Sequence, residues 1–95
     1  MTTPTPQLRI PDDVAVLIRH MHPRLKQKIR AALRAIQLDP EAGKALQEGL
    51  VGLRSFRVNR FRMIYRQTDE ALEIVAIGPR HAIYEETLRL IRQST

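Results

Sequence analysis

The chain has 95 residues, 43% of them hydrophobic, and a net charge of +6 at pH 7, with a pI near 10.8. This length predicts one domain, residues 1–95, with a flexible amino terminus at residues 1–6. The chain holds no apolar run long enough to span a membrane, no signal-peptide pattern at its start and no cysteine, which excludes disulfides and favours a reducing compartment. We therefore expect a cytoplasmic protein.

The positive charge is unevenly distributed. No acidic residue occurs in residues 14–38 or 49–68, and these two stretches hold six and five of the 16 basic residues. This concentration indicates a polyanionic partner, namely nucleic acid, an anionic membrane surface or an acidic protein, with a solvated basic surface as the alternative. A membrane surface is disfavoured because no helix pairs these cations with an exposed aromatic face.

The amino-terminal part predicts a strand and two helices. Residues 8–10 form a short strand, Pro11 suits the first position of a helix, and the apolar stripe that follows has helical spacing. Pro23 interrupts this stripe and begins a second helix over residues 23–38, which forms a hairpin with the first. Five basic residues on the second helix fit either a solvated face or a track for an RNA backbone: Arg24, Lys26, Lys28, Arg30 and Arg34.

Three strands and a helix follow. A connector reaching Gly52 leads to two strands on either side of Asn59-Arg60. A turn at Asp69-Glu70 precedes a strand over residues 72–77, and a helix covers residues 82–93. The order βααβββα predicts an α+β fold: a small, mostly antiparallel four-stranded sheet, with the helical hairpin on one face and a carboxyl-terminal helix. The helices are expected to cover one face of the sheet and leave the other open.

The segment from Arg54 to Arg66 alternates apolar and polar residues, as a half-buried hairpin does. Asn tolerates positive φ, so Asn59-Arg60 suits a two-residue turn. This turn predicts three pairs on a mostly apolar face: Val58 with Phe61, Phe56 with Met63, and Arg54 with Tyr65. On the other face Arg57 lies opposite Arg62. Opposed like charges destabilise a sheet, so this pair predicts an anion such as phosphate between the two guanidinium groups.

The turn at Asp69-Glu70 sets the pairing with the last strand. It places Arg66 opposite Glu73, which predicts a structural ion pair, whereas the opposed arginines gain no acidic neighbour. The same register predicts three further pairs: Tyr65 with Ile74, Met63 with Ala76, and Arg62 with Ile77. Four side chains are then expected to converge at one end of the open sheet face: Arg57, Arg62, Arg80 and Tyr84.

Two strings of residues resemble a known family. One is Leu53-Arg54-Ser55-Phe56-Arg57-Val58 with Phe61-Arg62-Met63-Ile64-Tyr65-Arg66, and the other is Ile77-Gly78-Pro79-Arg80-His81-Ala82-Ile83-Tyr84. Together they resemble the RelE/ParE superfamily of toxins from bacterial toxin–antitoxin systems, over about residues 8–92. The resemblance leaves two activities open. RelE-like members cut messenger RNA in the ribosomal decoding site, whereas ParE-like members poison DNA gyrase and cleave nothing.

The RelE-like interpretation implies a role for each matching residue. Arg62 matches the arginine beside the scissile phosphate, Arg80 the arginine at the end of the last strand, and Tyr84 the tyrosine near the attacking 2′-hydroxyl. Arg57 matches a basic residue on the preceding strand. The turn is tighter than in RelE-like members, and the second basic residue of that strand is either lost or replaced by Asn59.

Further residues are candidates beside these four. His81 would donate a proton to the leaving 5′-oxygen or be solvated, and Tyr84 would act chemically or pack with the rest of its helical stripe. Arg54 and Arg60 are candidate contacts to RNA phosphates, and Arg60 is equally free to remain in water. We expect no cofactor and no metal.

Three functions are considered, and the sequence favours the first because its arginines and tyrosine are expected together on one face. The first is a ribosome-dependent endoribonuclease toxin that acts on messenger RNA, the second a gyrase-inhibiting toxin that relies on the helical hairpin or the tail, and the third an RNA- or ribosome-binding module without toxicity. The resemblance implies a cognate antitoxin that is acidic or amphipathic and partly disordered. No membrane partner is expected.

Overall fold

A computed structural model describes residues 6–79 and 83–93. The expected flexible segment therefore lies outside the described residues for positions 1–5. The strands and helices follow in chain order: β1 Gln7–Arg9, α1 Asp12–Arg19, α2 Pro23–Leu38, β2 Lys44–Ala45, a 3₁₀ turn at Glu48–Leu50, β3 Arg54–Val58, β4 Phe61–Gln67, β5 Ala71–Pro79 and α3 Ile83–Gln93. The fold is α+β, as predicted, and α2 has the predicted bounds.

The strands form one mixed sheet in the order β1-β5-β4-β3-β2. Strand β1 runs parallel to β5, and the other neighbours are antiparallel. The prediction of four strands was wrong by one, because the connector contains β2, which pairs with Arg54 and Ser55. A two-residue strand is too short to show an alternating pattern, so the sequence carries no signal for it.

Helices α1 and α2 cover one face of the sheet. Their apolar stripes supply Val14, Ile29, Leu33 and Ile36 to a core that also contains Met63 and Tyr65 of β4 and Leu72, Ile74 and Ile77 of β5. Pro23 stands at the first position of α2, and His22 caps the helix by accepting a hydrogen bond from the backbone nitrogen of Arg24. No helix among the described residues is long and apolar enough to cross a membrane.

Helix α3 packs on the opposite face of the sheet. Its first residue, Ile83, is fully buried in a second cluster with Leu53, Ile64 and Ala76. Ile64 lies between Met63 and Tyr65 in sequence, and neighbouring residues of a strand point to opposite faces. The expectation that the helices cover only one face was therefore wrong: the face that carries Arg57 and Arg62 is partly covered by α3.

The pairing of β4 with β5 contains one irregularity. Arg66 lies opposite Glu73 and Tyr65 opposite Ile74, as predicted, but Ile64 lies opposite Ala76. Val75 is therefore an extra residue on β5, as in a β-bulge. Beyond it the predicted partners of Met63 and Arg62 were wrong by one residue, since these pair with Ile77 and Gly78. Strand β5 also continues to Pro79, two residues past the predicted end.

Candidate anion-binding site on the hairpin of β3 and β4

The hairpin of β3 and β4 has the predicted register at all of its predicted pairs. Asn59 adopts φ 57°, the left-handed conformation that a two-residue hairpin turn requires. Val58 lies opposite Phe61, Phe56 opposite Met63 and Arg54 opposite Tyr65. Arg57 consequently lies opposite Arg62, on the face that α3 partly covers, because Ser55 and Ile64 form the preceding pair on that face.

Arg62 is half-buried on β4, the middle strand of the five-stranded sheet. On its other side it lies opposite Gly78, which has no side chain to crowd the guanidinium. A Cβ at Gly78 would lie 2.9 Å from the Cδ1 of Ile83, so the beginning of α3 borders this position. Among the described residues Arg62 has no carboxylate partner.

Arg57 is exposed on β3, and its Nε donates a hydrogen bond to the backbone carbonyl oxygen of Asn59, 3.2 Å away. This contact directs the guanidinium toward the tip of the hairpin. There the Oδ1 of Asn59 also accepts a hydrogen bond of 3.4 Å from the Nζ of Lys28 on α2. Both contacts involve neutral acceptors, so neither cation is neutralised by them.

The other two candidate phosphate contacts of the hairpin lie apart from this pair. Arg60 is exposed at the tip of the turn. Arg54 lies on the opposite face, in register with Tyr65, and its Nη1 donates hydrogen bonds to the backbone carbonyls of Gly43 at 2.8 Å and Glu41 at 3.3 Å. The guanidinium of Arg54 thus holds the connector against the sheet, and its role as a phosphate contact stays a prediction.

Three candidate catalytic residues follow β5. Arg80 and His81 lie outside the described residues. Tyr84 is the second residue of α3, beside the buried Ile83, but its side chain too is outside the described part of the chain. The predicted convergence of Arg80 and Tyr84 with Arg62 stays a prediction, as does the role of His81.

The ion pair predicted for Arg66 is confirmed. Its Nε and Nη2 both donate to Oε1 of Glu73, at 3.0 and 2.9 Å. Arg66 therefore has a carboxylate partner across the strands and Arg62, four residues earlier, has none among the described residues. This contrast separates a structural arginine from a candidate site arginine on one strand.

One feature of the site was not predicted from the sequence. The first turns of α2 approach the turn of the hairpin, so that Arg24 and Lys28 join Arg57 and Arg60 around a common cleft. The basic residues of α2 are visible in the sequence, but their distance from the hairpin depends on how the helices pack. Within residues 6–79 and 83–93, no three histidine, aspartate or glutamate side chains gather closely enough to hold a metal ion.

Solved structures of bacterial and archaeal toxins share this fold. A variant of the Escherichia coli toxin RelE in the free state is 17% identical, with a TM-score of 0.73, and the match covers 92% of this chain and 98% of that one. The Mycobacterium tuberculosis toxin-antitoxin complex RelBE2 is 21% identical, with a TM-score of 0.70 and coverage of 80% and 99%. The YoeB-YefM complex from Staphylococcus aureus is 17% identical, with a TM-score of 0.66 and coverage of 77% and 94%.

The fold is the one that these toxins share. The sequence model of the family described as the ParE toxin of the type II toxin-antitoxin system parDE matches residues 9–84. The chain belongs to this family, within the RelE/ParE superfamily that its motifs resemble. No curated protein matches its sequence.

Proposed function

We propose that the protein is the toxin of a type II toxin–antitoxin system and acts as a ribosome-dependent endoribonuclease on messenger RNA. The observation that carries this proposal is the pair Arg57 and Arg62, opposed on adjacent strands without a carboxylate partner among the described residues. A sheet loses stability by opposing two cations. A phosphate group between or beside them would offset that cost.

The arginines would act on the transition state of RNA cleavage. The 2′-hydroxyl oxygen attacks the adjacent phosphorus, its proton is taken up, and the bond to the 5′-oxygen breaks as that oxygen gains a proton. The intermediate phosphorane carries more negative charge than the ground state, and preorganised donors that meet this growing charge usually supply the largest catalytic contribution. Planar guanidinium groups suit pairs of phosphate oxygens.

The proposed roles extend to residues near the hairpin. Arg62 and Arg80 would stabilise the phosphorane, and Tyr84 would position or deprotonate the 2′-hydroxyl. His81 would donate the proton to the leaving 5′-oxygen. Arg57 would hold the neighbouring phosphate. Arg60 and Arg54 would contact other phosphates of the RNA at the periphery of the site. None of these steps requires a metal ion or a cofactor.

Two partners belong to the proposal. The ribosome would position the messenger RNA, which lets a small and open site act selectively because orientation is supplied by the larger particle. A cognate antitoxin would hold the toxin inactive, and two observations support it. The matching family is described as the toxin of a type II toxin-antitoxin system, and the M. tuberculosis and S. aureus structures are toxin-antitoxin complexes.

DNA gyrase inhibition is the second candidate, favoured by the match to the ParE toxin family. Such a toxin binds its target protein and needs no catalytic residues. It would not require the opposed arginines, and would rely on the surface of α1 and α2 or on the carboxyl-terminal tail.

One experiment separates the two. The chain is induced in a bacterium, and the 5′ ends of messenger RNA are mapped while plasmid supercoiling is measured in the same cells. The proposal expects new 5′ ends within translated regions, unchanged supercoiling, and loss of these ends with Arg62→Ala but not with Arg66→Ala. Altered supercoiling without new 5′ ends would contradict the nuclease proposal and support gyrase inhibition.

A further inference from the structure

A cleft of about 620 Å³ lies between the first turns of α2 and the turn that joins β3 to β4. We call it the turn cleft and define it by six of its lining residues: Arg24, Leu25, Lys28, Arg57, Arg60 and Phe61. Four of these are cations, contributed by two separate elements. Leu25 and Phe61 are half-buried between them, so an apolar floor is flanked by positive charge.

The cations of the turn cleft are not neutralised within the described part of the chain. The two ion pairs among the described residues, Arg66 with Glu73 and Arg9 with Glu70, involve no residue that lines the cleft. Every described residue that lines the cleft is neutral or basic. The polar contacts of Lys28 and Arg57 are both to Asn59, which carries no charge.

The position of Arg24 is unfavourable for the fold on its own. It lies in the first turn of α2, which contains no acidic residue, and the positive end of the helix dipole repels a cation there. With Lys28 one turn later and Arg57 and Arg60 beside it, the repulsion accumulates. An anionic ligand would reverse its sign, because the same helix end attracts phosphate oxygens.

From these contacts we propose that the turn cleft binds the phosphodiester backbone of a nucleic acid strand. A phosphodiester backbone carries one negative charge per nucleotide. It therefore matches a row of cations better than a ligand with a single carboxylate does. Three of the four cations are arginines, whose forks bind phosphate oxygens in pairs. The partly exposed ring of Phe61 offers a surface on which a base can stack.

Arg57 connects the turn cleft with the hairpin face. It lies opposite Arg62 and also lines the cleft, so one strand can cross the tip of the hairpin and occupy both. The cleft then holds nucleotides that flank those at Arg62. This binding extends the proposed function without depending on cleavage, and duplex DNA is the other source of the same chemistry.

The test measures the salt dependence of binding for a labelled single-stranded RNA and a labelled DNA duplex by fluorescence anisotropy. The full chain carries Arg62→Ala, so that no strand is cut. In this background, Arg24→Gln, Lys28→Gln and Arg60→Gln are combined. The matched control combines Arg19→Gln, Arg30→Gln and Arg34→Gln, which removes the same charge from exposed positions that do not line the cleft.

Each phosphate contact contributes about 0.7 to the slope of log K against log salt for a single strand. The cleft triple variant should therefore lose a slope of about 2 on RNA, while the control loses much less. Thermal melting should show the cleft variant at least as stable as its background. If that variant fails to fold, Arg60→Gln alone, at the exposed tip, should lower the slope by about 0.7.

Two results would overturn the proposal. Equal losses in the two triple variants would assign binding to the diffuse basic surface. Unchanged nucleic acid binding, combined with loss of antitoxin co-purification, would make the cleft a protein-docking surface. A slope loss confined to duplex DNA would support the cleft and count against the ribonuclease. Failure to find cleaved messenger RNA, by contrast, would leave the RNA slope of the cleft unaffected, so the two proposals fail separately.

Discussion

The hydroxyl of Tyr65 accepts a hydrogen bond of 2.8 Å from the backbone nitrogen of Gly43, across 22 residues of sequence. The same hydroxyl donates to the carbonyl oxygen of Pro40 at 2.7 Å. A Cβ on residue 43 would lie 2.5 Å from the hydroxyl oxygen of Tyr65, so only glycine allows this close approach. A fully buried ring thus fastens the connector after α2 to the middle of the sheet.

Replacing Tyr65 by phenylalanine should destabilise the protein by about 1–3 kcal/mol, because the buried Gly43 nitrogen would lose its acceptor. The ring itself would remain in the core cluster that also contains Ile29 and Met63. Urea unfolding of the two proteins measures the difference. Equal stability would mean that water replaces the hydroxyl in the connector.

The stability should also fall at alkaline pH because of the same residue. Burial raises the pKa of the Tyr65 hydroxyl above its ordinary value of 10.0, partly opposed by the hydrogen bond from Gly43 and the charge of Arg54. In the unfolded chain this group ionises near pH 10, before it does so in the folded protein. The contribution of the Tyr65 hydroxyl to the free energy of unfolding is therefore fully present below pH 10. It is lost as the pH rises through the pKa that this group has in the folded protein. The free energy of unfolding, measured from pH 8 to 11, should fall more steeply for the wild type than for Tyr65→Phe; parallel curves would contradict this.

Arg62→Ala should affect activity far more than folding. Removing one of two opposed cations relieves repulsion, so the midpoint of thermal unfolding should stay unchanged or rise slightly. Cleavage should slow by about two orders of magnitude, as expected for loss of a transition-state contact of about 3 kcal/mol. Melting and primer extension on translated messenger RNA measure both. A folded variant that cleaves at the wild-type rate would place the site elsewhere.

Arg66→Ala serves as the matched control on the same strand. Its ion pair with Glu73 is partly exposed, with 53% and 26% of the two side chains accessible, and such pairs contribute about 0–1 kcal/mol. Toxicity should stay near the wild-type level, with at most a small decrease in stability. Loss of cleavage by a correctly folded Arg66→Ala protein would contradict the structural role of Arg66, because Arg66 and Arg62 lie on the same face of β4.

The hairpin of β3 and β4 could be predicted because its turn is local. Asn59 permits positive φ, and a two-residue turn leaves one possible register for the strands beside it. This placed Arg57 opposite Arg62 correctly. The predicted register of β4 with β5 was wrong beyond Val75. A bulge responds to packing on both faces of the sheet, and it leaves no mark in a strand that is apolar at nearly every position, as β5 is.

Tertiary contacts account for the rest of what was missed. The partners of Tyr65 and Arg54 are backbone groups of the connector, and backbone groups carry no sequence signal. The position of α3 depended on which apolar face of the sheet was still uncovered, and both faces of β4 are apolar at Met63 and Ile64. The turn cleft could not be predicted, because it forms only where α2 lies beside the turn of the hairpin. Sequence patterns predicted the elements, and their three-dimensional arrangement determined the site.

The last prediction concerns the antitoxin. The net charge is +6, and Arg57 and Arg62 have no carboxylate partner among the described residues. The toxin should therefore bind an acidic, amphipathic segment that becomes ordered on binding and covers these two arginines or blocks access to them. Association should be fast and should weaken with salt, because electrostatic steering is screened over about 10 Å at 0.1 M ionic strength. Co-purification with the product of the neighbouring gene, followed by stopped-flow measurements from low to high salt, tests this.

In the same titration, Arg57→Gln combined with Arg62→Gln should lower the association rate and its salt dependence more than Arg30→Gln combined with Arg34→Gln, which removes equal charge from α2. A neutral partner whose binding ignores salt, or a chain that is expressed alone without harm to the cell, would contradict the toxin–antitoxin assignment of this surface.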